Sequence, residues 1–597
     1  MPEQPTNPFV VQTPESTSAE DVVSLFVDVF SDFQHIPHPG HTFVHGPRGS
    51  GKTMMFRFLE PDCQRLQGKR ALSELEFFGA YVPIKNTDLA LTELMRLEGS
   101  YADGVLSEHF MTIHVVAKFL RSLRKDGVAQ ELDTDAPRLA TIYSDVFRPL
   151  VERAGGDKVL PAPKGSTASD LLLAMQEAID AMYVQVIQYL RRLSFSPTPV
   201  EYNASLTGFL DFLVPLLNAF RELRAFPSGP IFLLLDDADN LNLTQTKILN
   251  SWVATRMSSA ISLKISTQLA YATFLTSSGQ RISSPHDFHE INISDVYTSK
   301  SSAYQARMRE IIKKRLAQHN REPGAFFPQD DDQEAAITKI AETHRKKSPE
   351  DRRGFHARDD VNRYSRPDYM RDLAKHRGGR SNYSYAGFEQ LVHISSGVVR
   401  HFLDAASMMY AEEAAKPSGV VNAISPAIQD KVVRMLADDF FYSHFDKIVQ
   451  DTAGNDDERD RFGKLRNLIH ALGNAFHQIL ISHAAERRVF SVALSDGGRP
   501  EVVAVFRLGV RFGYFHESTI GAKVGIGRVP LFILTRRLAP FFDLDPTSFA
   551  GYQFATSEAL LGAMKNPTAF VRKIQGKRGM AAVFEDPQML LPLEEAK

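Results

Sequence analysis

The sequence predicts an α/β fold in which a parallel sheet carries a phosphate-binding loop. Three stretches predict it: a glycine-rich run over 46–53, a strand-like segment over 41–45 directly before it, and an unbroken apolar run over 230–235 that ends in the acids Asp236 and Asp237. Such an apolar run is typical of a strand that is buried on both faces of a parallel sheet. Ligands bind at the carboxyl ends of these strands, which is where the two acids stand.

The glycine-rich run has the residue types that phosphate binding requires. It fits the pattern Gly, four residues, Gly-Lys-Ser/Thr without a mismatch and reads Gly46-Pro47-Arg48-Gly49-Ser50-Gly51-Lys52-Thr53. Glycines let the backbone curl so that successive N–H groups point at phosphate oxygens. Lys52 brings a charge to the outer phosphates, and the Thr53 hydroxyl is placed to ligate Mg²⁺. The sequence therefore predicts a nucleoside triphosphate site.

Length and composition limit the other possibilities. At 597 residues the chain predicts about two to four domains. The net charge of −2 does not predict that the molecule as a whole binds nucleic acid or an anionic membrane. Cys63 is the single cysteine, so one chain forms neither a disulfide framework nor a thiolate zinc site. The N-terminus lacks the layout of a signal peptide, and no apolar run is long enough to span a bilayer, so we expect a cytoplasmic protein without a membrane partner.

The remaining elements of the core follow in chain order. Residues 77–84 predict a second strand, and 85–225 is mostly helical, with helices over 108–123 and 168–193 and a loop or cap over 134–163. After the apolar run, 244–259 predicts a helix and 262–269 a further strand. Its polar end, Thr267-Gln268, should lie beside the acids of the preceding strand. Asp236 would hold Mg²⁺, usually through water, and Asp237 would polarise the attacking water.

The second half of the chain is predicted to be less uniform. Residues 303–319 form a charged helix, and 320–384, rich in charge, Gly and Pro, predict a mobile insertion or linker. Its basic run over 345–347 could contact phosphates, although such runs are usually only solvated. Order returns over 388–414, where the segment from Ser395 to Arg400 opens an apolar helix. Residues 425–577 form a separate unit that includes a helix over 501–513 and a glycine-tipped hairpin near 524–534, and the tail is acidic.

The loop, the Asp-Asp strand, the polar-tipped strand and the later Gly397-x-x-Arg400 helix, in that order, resemble an AAA+ ATPase. Asn7-Pro8-Phe9 and the segment 394–403 are similar to parts of the origin-recognition (ORC/CDC-like) ATPases and the related STAND signalling ATPases. The resemblance implies ATP and Mg²⁺ as ligands. It implies that Lys52 and Thr53 bind phosphate and metal, that Asp236 is the metal acid and that Asp237 is the catalytic base. It also implies that Thr267, or else Gln268, is the sensor and that Arg400 is the lid arginine that contacts the γ-phosphate.

The chain also departs from this family. The resemblance implies glutamate where Asp237 stands, and the shorter side chain predicts slow or absent hydrolysis. An arginine finger that reaches a neighbouring subunit of a homo-oligomer is not fixed by the sequence, and Arg256 and Arg281 are candidates by location alone.

The resemblance and the composition together divide the chain into six parts. These are an ATPase core over 1–84 and 226–320, a helical insertion over 85–225, a charged flexible insertion over 321–384, a helical lid over 385–424, a winged-helix-like domain over 425–577 and an acidic tail over 578–597.

Two hypotheses about function remain open at this point. The first is a switch of the origin-recognition type that couples its nucleotide state to double-stranded DNA, bound by the C-terminal domain through basic residues at Lys523, Arg528, Arg536 and Arg537. The second is a STAND-like signalling or defence ATPase whose nucleotide state gates assembly with a protein partner, for which 85–225 could be the docking surface. Fold similarity alone does not choose between them.

Overall fold

The structure is a computed structural model of the whole chain. It describes residues 7–584 except for these positions: 12, 29–32, 85–96, 98–100, 157–160, 162–164, 197–199, 256–258, 270, 294–300, 349, 351–356, 377–381, 418, 452–454, 484–486, 523–526, 548–550 and 576–583. The chain forms two compact units. The first unit comprises residues 12–296, and the second comprises residues 1–11 and 297–597.

The first unit is built on a parallel sheet of five strands in the order β2-β3-β4-β1-β5. The strands are β1 (Thr42–His45), β2 (Phe78–Pro83), β3 (Ile231–Asp236), β4 (Ile261–Thr267) and β5 (His289–Asn292). Every residue of β3 and β4 is buried, as the unbroken apolar run predicts for a strand covered on both faces. The predicted α/β fold with a parallel sheet is confirmed, and β5 is a strand that the sequence patterns did not indicate.

Helices surround this sheet. They are α1 (Ala19–Leu25), α2 (Lys52–Phe58), α3 (Pro61–Gly68), α4 (Tyr101–Leu123), α5 (Val128–Leu132), α6 (Ala136–Ile142), α7 (Arg148–Arg153), α8 (Ala168–Phe195), α9 (Val214–Phe220) and α10 (Leu243–Ala254). Short π-helical turns over Tyr143–Phe147 and Phe209–Leu213 precede α7 and α9. The long helix α4 packs against β2, α8 and α10.

The helices of 101–220 share one hydrophobic core with the sheet. Phe78 of β2 packs edge-on against Phe119 of α4, at 5.6 Å between ring centroids, and Phe119 packs against Phe220 of α9 at 5.2 Å. The predicted loop over 134–163 is wrong for the described part of that segment. There α6 and α7 bury apolar side chains such as Leu139 and Leu150, which helical spacing brings to one face.

The first half of the second unit is helical. It contains α11 (Ser301–Arg315), α12 (Pro323–Phe326), α13 (Asp331–Arg345), α14 (Ala357–His376), α15 (Phe388–Ile394), α16 (Val399–Ala414), α17 (Pro426–Phe441), α18 (Ser443–Asp451) and α19 (Asp456–Leu480). Asn7 lies in this unit, where its amide donates to the Ser407 carbonyl at 2.9 Å, and the Phe9 ring packs against Phe327 and Tyr410.

The prediction of a flexible insertion over 321–384 is wrong for the described residues of that segment. Helices α13 and α14 pack against each other, and two contacts join them: a hydrogen bond of 2.8 Å between His344 Nε2 and Asp368, and an ion pair of 2.9 Å between Arg366 and Glu334. Composition misled the prediction, because charges that face each other across two helices neutralise one another and leave apolar residues such as Ile337 and Met370 to be buried.

The second half of this unit holds a four-stranded sheet in the order β7-β8-β6-β9. Its elements are β6 (Val489–Leu494), α20 (Pro500–Arg511), β7 (Phe515–Gly521), β8 (Arg528–Leu534), β9 (Gly551–Ala555), α21 (Ser557–Lys565) and α22 (Pro567–Gln575). Helix α20 and the antiparallel pair β7–β8 match the predicted helix and hairpin. The winged-helix-like assignment stays a prediction. Besides the antiparallel pair β7–β8, the sheet contains a parallel pair, β6–β9. No helix in the described part of the chain is long and apolar enough to cross a membrane.

Candidate nucleotide-binding site

The glycine-rich loop connects the end of β1 to the start of α2. Gly49 has a φ of +82° and Gly51 a φ of +104°, a backbone region that side chains rarely adopt, so glycine is required at both positions. The Gly46 amide donates to the Thr267 carbonyl at 3.1 Å, which fixes the start of the loop to the end of β4. The first turn of α2 has no preceding carbonyls to accept from its amides, so these N–H groups remain available to an anion.

Lys52 is the first residue of α2 and is buried. Its ammonium group donates to the carbonyls of Gly46 at 2.7 Å and Pro47 at 3.1 Å. Burial lowers the pKa of Lys52 below 10.5, while the carboxylates of Asp236, Asp237 and Asp239 act to raise it. The structure therefore places a buried cation between loop carbonyls and three acids at the carboxyl edge of the sheet.

Asp236 is the last residue of β3, and two hydroxyl groups hold its buried carboxylate. Tyr81 of β2 donates to Oδ2 at 3.0 Å, and Ser266 of β4 donates to Oδ1. Burial, together with the Asp236 and Glu15 carboxylates, raises the pKa of Tyr81 far above 10, so its hydroxyl stays protonated. The sequence analysis missed both hydroxyls, because Tyr81 is 155 residues from Asp236 and Ser266 is 30 residues from it.

Asp237 adopts a left-handed backbone conformation with a φ of +58°. Its amide donates to the Ser266 hydroxyl at 2.9 Å, so one serine contacts both acids. Burial first, and then the Asp236 carboxylate, raises the pKa of Asp237 to about 6. A carboxyl group with this pKa exchanges protons readily near neutral pH, which is what a general base requires.

The two sensor candidates at the end of β4 have different partners. The Thr267 hydroxyl lies 2.6 Å from His45 Nδ1 and donates to the Gln268 carbonyl at 2.8 Å. Gln268 donates to Asp239 from its backbone amide at 3.2 Å and from its side chain at 2.5 Å. Arg48 of the loop lies 4.0 Å from the same carboxylate. Asp239 is a residue that the sequence analysis did not assign, although its place three residues after Asp236 was visible.

Of the three predicted arginines, the structure describes Arg400 and Arg281. Arg400 belongs to the second unit, where it is exposed in the first turn of α16. Arg281 is exposed, with its guanidinium 5.9 Å from the centroid of the Phe274 ring. Arg256 lies outside the described residues. The structure thus brings together the phosphate loop, Asp236, Asp237 and Thr267 within one unit.

The residues present fit a nucleoside triphosphate and its metal ion. The Ser50 hydroxyl is buried and has no hydrogen-bond partner among the described residues, and the neighbouring Lys52 supplies positive charge. Thr53 and Asp236 supply oxygen atoms of the kind that Mg²⁺ prefers. No group of three or more His, Cys, Asp or Glu side chains in the described part of the chain could hold a metal ion alone. Mg²⁺ is usually held by one or two carboxylates together with substrate phosphates, so the fit includes the nucleotide.

The basic residues that were expected to contact DNA are only partly available. Arg536 is 2% exposed, and its guanidinium donates to the Pro546 carbonyl at 3.0 Å. The Arg537 guanidinium lies 3.8 Å from the centroid of the Phe440 ring. Arg528 is exposed and donates to Thr519, and Lys523 lies outside the described residues. The prediction that Arg536 is a DNA contact is therefore wrong, because folding buries it against its own domain.

Comparison with known proteins assigns the chain to a family. A family model described as ORC-CDC6-like matches residues 7–357 and 339–554, which together span most of the chain. No curated protein matches it. The matched region includes both structural units, the phosphate loop, the β3 acids and α16.

Proposed function

The chain belongs to the ORC-CDC6-like family of AAA+ ATPases of the origin-recognition type, and we propose on this premise that it is an ATP-driven switch that couples its nucleotide state to the binding of duplex DNA. The observation that carries the ATP-binding part of the proposal is the buried Lys52 ammonium on a glycine loop, whose pKa the carboxylates of Asp236, Asp237 and Asp239 act to raise. These carboxylates stabilise the Lys52 ammonium but outnumber it, and a nucleotide that binds with its metal ion would bring a divalent cation to the excess acids.

The proposed roles follow the geometry of each residue. The loop residues Gly46, Pro47, Arg48, Gly49, Ser50, Gly51, Lys52 and Thr53 hold the phosphates. Thr53 and Asp236 hold Mg²⁺, which when bound neutralises the charge that develops on the phosphates. Hydrogen bonds from Tyr81 and Ser266 keep the Asp236 carboxylate in one orientation, so it is positioned before the ligand arrives.

Hydrolysis is proposed to use Asp237 as the base that orients and deprotonates the attacking water. Its pKa of about 6 leaves the carboxylate form dominant at pH 7 while keeping a proton-accepting group near neutrality. The aspartate side chain is one methylene shorter than glutamate, so we expect slow turnover. Thr267 is the proposed sensor, with Gln268 as the alternative that Asp239 positions.

Arg400 is proposed to contact the γ-phosphate and so to transmit the nucleotide state to the second unit. It is exposed, and the helix that carries it begins at Val399, two residues after Gly397, which together with Ser396 adopts a positive φ angle, +80° and +53° respectively. Replacing Arg400 by alanine should leave ATP binding nearly intact and abolish any ATP dependence of DNA binding.

Titration with labelled duplex DNA tests the proposal, with and without ATP and Mg²⁺, at low and moderate salt. Tight, ATP-dependent binding that weakens steeply with salt is expected, since phosphate contacts release counterions. Arg528→Gln should weaken binding, and Arg507→Gln, on the neighbouring helix and also exposed, tests whether α20 belongs to the same surface. No binding at low salt would refute the DNA-linked function and leave the ATPase assignment untouched.

The second candidate function is a signalling ATPase of the STAND type that assembles with a protein partner. The burial of Arg536 and the engagement of Arg537 with Phe440 favour it, because they remove positive charge from the surface expected to meet DNA. Chemical crosslinking in the presence of ATP or of ADP would discriminate between the two candidate functions. Crosslinks that form only with ATP and that join the helices of 101–220 to another protein would support the second candidate.

A further inference from the structure

A groove of about 600 Å³ lies between α4 and α8 in the first unit, away from the residues of the phosphate loop. Basic side chains of α4 and the apolar and aromatic side chains of both helices line it, among them Lys118, Arg121, Arg124, Ile113, Ile179 and Tyr183. We propose that this α4–α8 groove binds a second, phosphate-bearing ligand of nucleotide size.

Two of the cations that line the groove have no ion-pair partner among the described residues. Arg121 and Arg124 stand one helical turn apart and are exposed, and neither guanidinium pairs with a carboxylate among the described residues. Like charges at this spacing repel each other. Lys125, which also lines the groove, differs because Glu60 and Asp62 already neutralise it, at 2.5 Å and 3.3 Å. An anion bound beside Arg121 and Arg124 would offset the repulsion, and Arg is well suited to hold phosphate by two parallel hydrogen bonds.

The surroundings of the groove favour a small ligand over a nucleic acid strand. The basic run begins in α4, continues past the end of that helix to Lys125 and is followed by the exposed Asp126. On the other side, α8 presents two exposed acids, Glu177 beside the groove and Asp180, which itself lines it. A strand carries one phosphate per nucleotide and needs a row of cations along its path, whereas these cations are confined to about two turns of one helix. The volume falls within the range of small-molecule sites.

The uncharged part of the groove suits a planar base. The Tyr183 ring stacks on Phe110, with 5.3 Å between centroids and 24° between planes, which holds it in place. The side-chain carbonyl of Gln176 is buried and has no hydrogen-bond partner among the described residues, while its amide group donates to Asp180 at 2.8 Å. A base with an exocyclic amino group would supply the donor that this carbonyl lacks. The groove therefore suits a nucleoside phosphate. Its phosphate would lie at Arg121 and Arg124, and its base would lie near Gln176 and Tyr183.

Binding of radiolabelled AMP to the full chain carrying Lys52→Ala tests this inference, because that background disables the phosphate loop. Saturable AMP binding is expected, and the double variant Arg121→Gln/Arg124→Gln should weaken it by about thirtyfold, as expected for two charge-assisted contacts. The matched control is Arg191→Gln/Arg192→Gln, which removes two exposed arginines of α8 that do not line the groove and should leave AMP affinity unchanged.

Further measurements test separately whether the groove binds the base and whether it binds the phosphate. Gln176→Leu should weaken AMP more than inorganic pyrophosphate, because only AMP carries the amino group. Absence of saturable AMP binding at millimolar concentration, or equal losses in the groove and control variants, would overturn the proposal. If pyrophosphate binds as tightly as AMP, the groove does not recognise the base, and the assignment to a nucleoside phosphate is wrong. A single-stranded oligoadenylate that binds more tightly than AMP and depends on Arg121 and Arg124 would replace the small ligand by a strand.

Discussion

Lys52 and Lys264 are both buried in the first unit, yet their surroundings differ. Lys52 lies at the carboxyl edge of the sheet, near the carboxylates of Asp236, Asp237 and Asp239. Lys264, on β4, donates to the carbonyls of His38 and Gly40, both at 2.7 Å, and to the Thr42 hydroxyl at 3.0 Å. Burial lowers the pKa of Lys264 to about 7.

The difference shows that burial of a lysine does not by itself identify a functional site. Lys264 fixes the segment before β1 by donating to its backbone, so its role is structural. Lys52 lies near acids at the start of a helix, where the backbone amides have no partners within the helix. A phosphate ligand would accept hydrogen bonds from these amides and from Lys52. The five predictions below test this contrast, from the largest expected effect to the smallest.

Replacing Lys52 by alanine should weaken ATP binding by about a hundredfold or more, since a charged contact to phosphate contributes about 2–3 kcal/mol. The thermal midpoint should change little, because the variant also removes a buried charge. Titration with a fluorescent ATP analogue and Mg²⁺ measures the first effect. Lys264→Met is the matched control and should bind ATP as the parent does. If Lys264→Met lost ATP binding while folded, the contrast between the two lysines would fail.

Replacing Asp237 by asparagine should reduce ATP hydrolysis by about a hundredfold or more while ATP binding persists. Asparagine tolerates the left-handed backbone at this position, so the loss would report the carboxylate rather than strain. In the parent, turnover should fall as pH decreases through about 6, where Asp237 becomes protonated. A pH–rate profile that stayed flat between pH 5 and 8 would contradict the assignment of Asp237 as the base.

The same variant has a defined effect on stability. The pKa of Asp237 is about 6 in the folded state and close to 3.8 when unfolded, so its contribution is fully favourable below pH 3.8 and is lost as pH rises through 6. Asp237→Asn should therefore be more stable than the parent at pH 7.5, by about 1–2 kcal/mol after allowance for solvent screening, and the gain should vanish below about pH 4. Urea unfolding at both pH values measures it.

Lys264→Met should remove a pH dependence of stability that the parent shows. The folded-state pKa of Lys264 is about 7 and the unfolded value is close to 10.5, so the unfolded chain holds more protons between these limits. Parent stability should rise by about 1–2 kcal/mol between pH 7 and 9 through this group, and the variant should lack that rise. Equal slopes of unfolding free energy against pH in the two proteins would contradict the lowered pKa.

Tyr81→Phe should have the smallest effect. It removes one of two hydroxyl donors to Asp236, while Ser266 keeps the carboxylate in place, so hydrolysis should fall by about threefold with ATP affinity unchanged. Tyr271→Phe is the control, since that hydroxyl donates to Asn250 at 3.0 Å. Steady-state turnover of both variants measures the difference, and equal rates would mean that Tyr81 does not position Asp236.

The local parts of the site could be predicted from the sequence because each is encoded within a few residues. The glycine loop needs positive φ at Gly49 and Gly51, and only glycine supplies this without strain. The β3 acids follow a buried apolar strand directly. Two partners of these groups, Tyr81 and Ser266, come from separate strands, and nothing in their local patterns indicates that they converge on Asp236.

The errors have a common physical cause. The charged segment 321–384 was expected to be flexible from composition, yet α13 and α14 pair their charges across the two helices and bury the rest. Arg536 was expected on the surface for the same reason and is buried against its own domain. Composition reports how many charges a segment has, but not which of them the fold pairs or covers.

The sequence by itself determined the phosphate loop, the buried strand with its two acids and the α/β class, because these depend on backbone freedom and on hydrophobic periodicity over short stretches. Only the tertiary structure decided which hydroxyls hold Asp236, that Asp239 contacts Gln268, which arginines remain exposed and that α4 and α8 enclose a basic groove. These features depend on contacts between residues far apart in the chain, and such contacts exist only once the hydrophobic core has brought the strands and helices together.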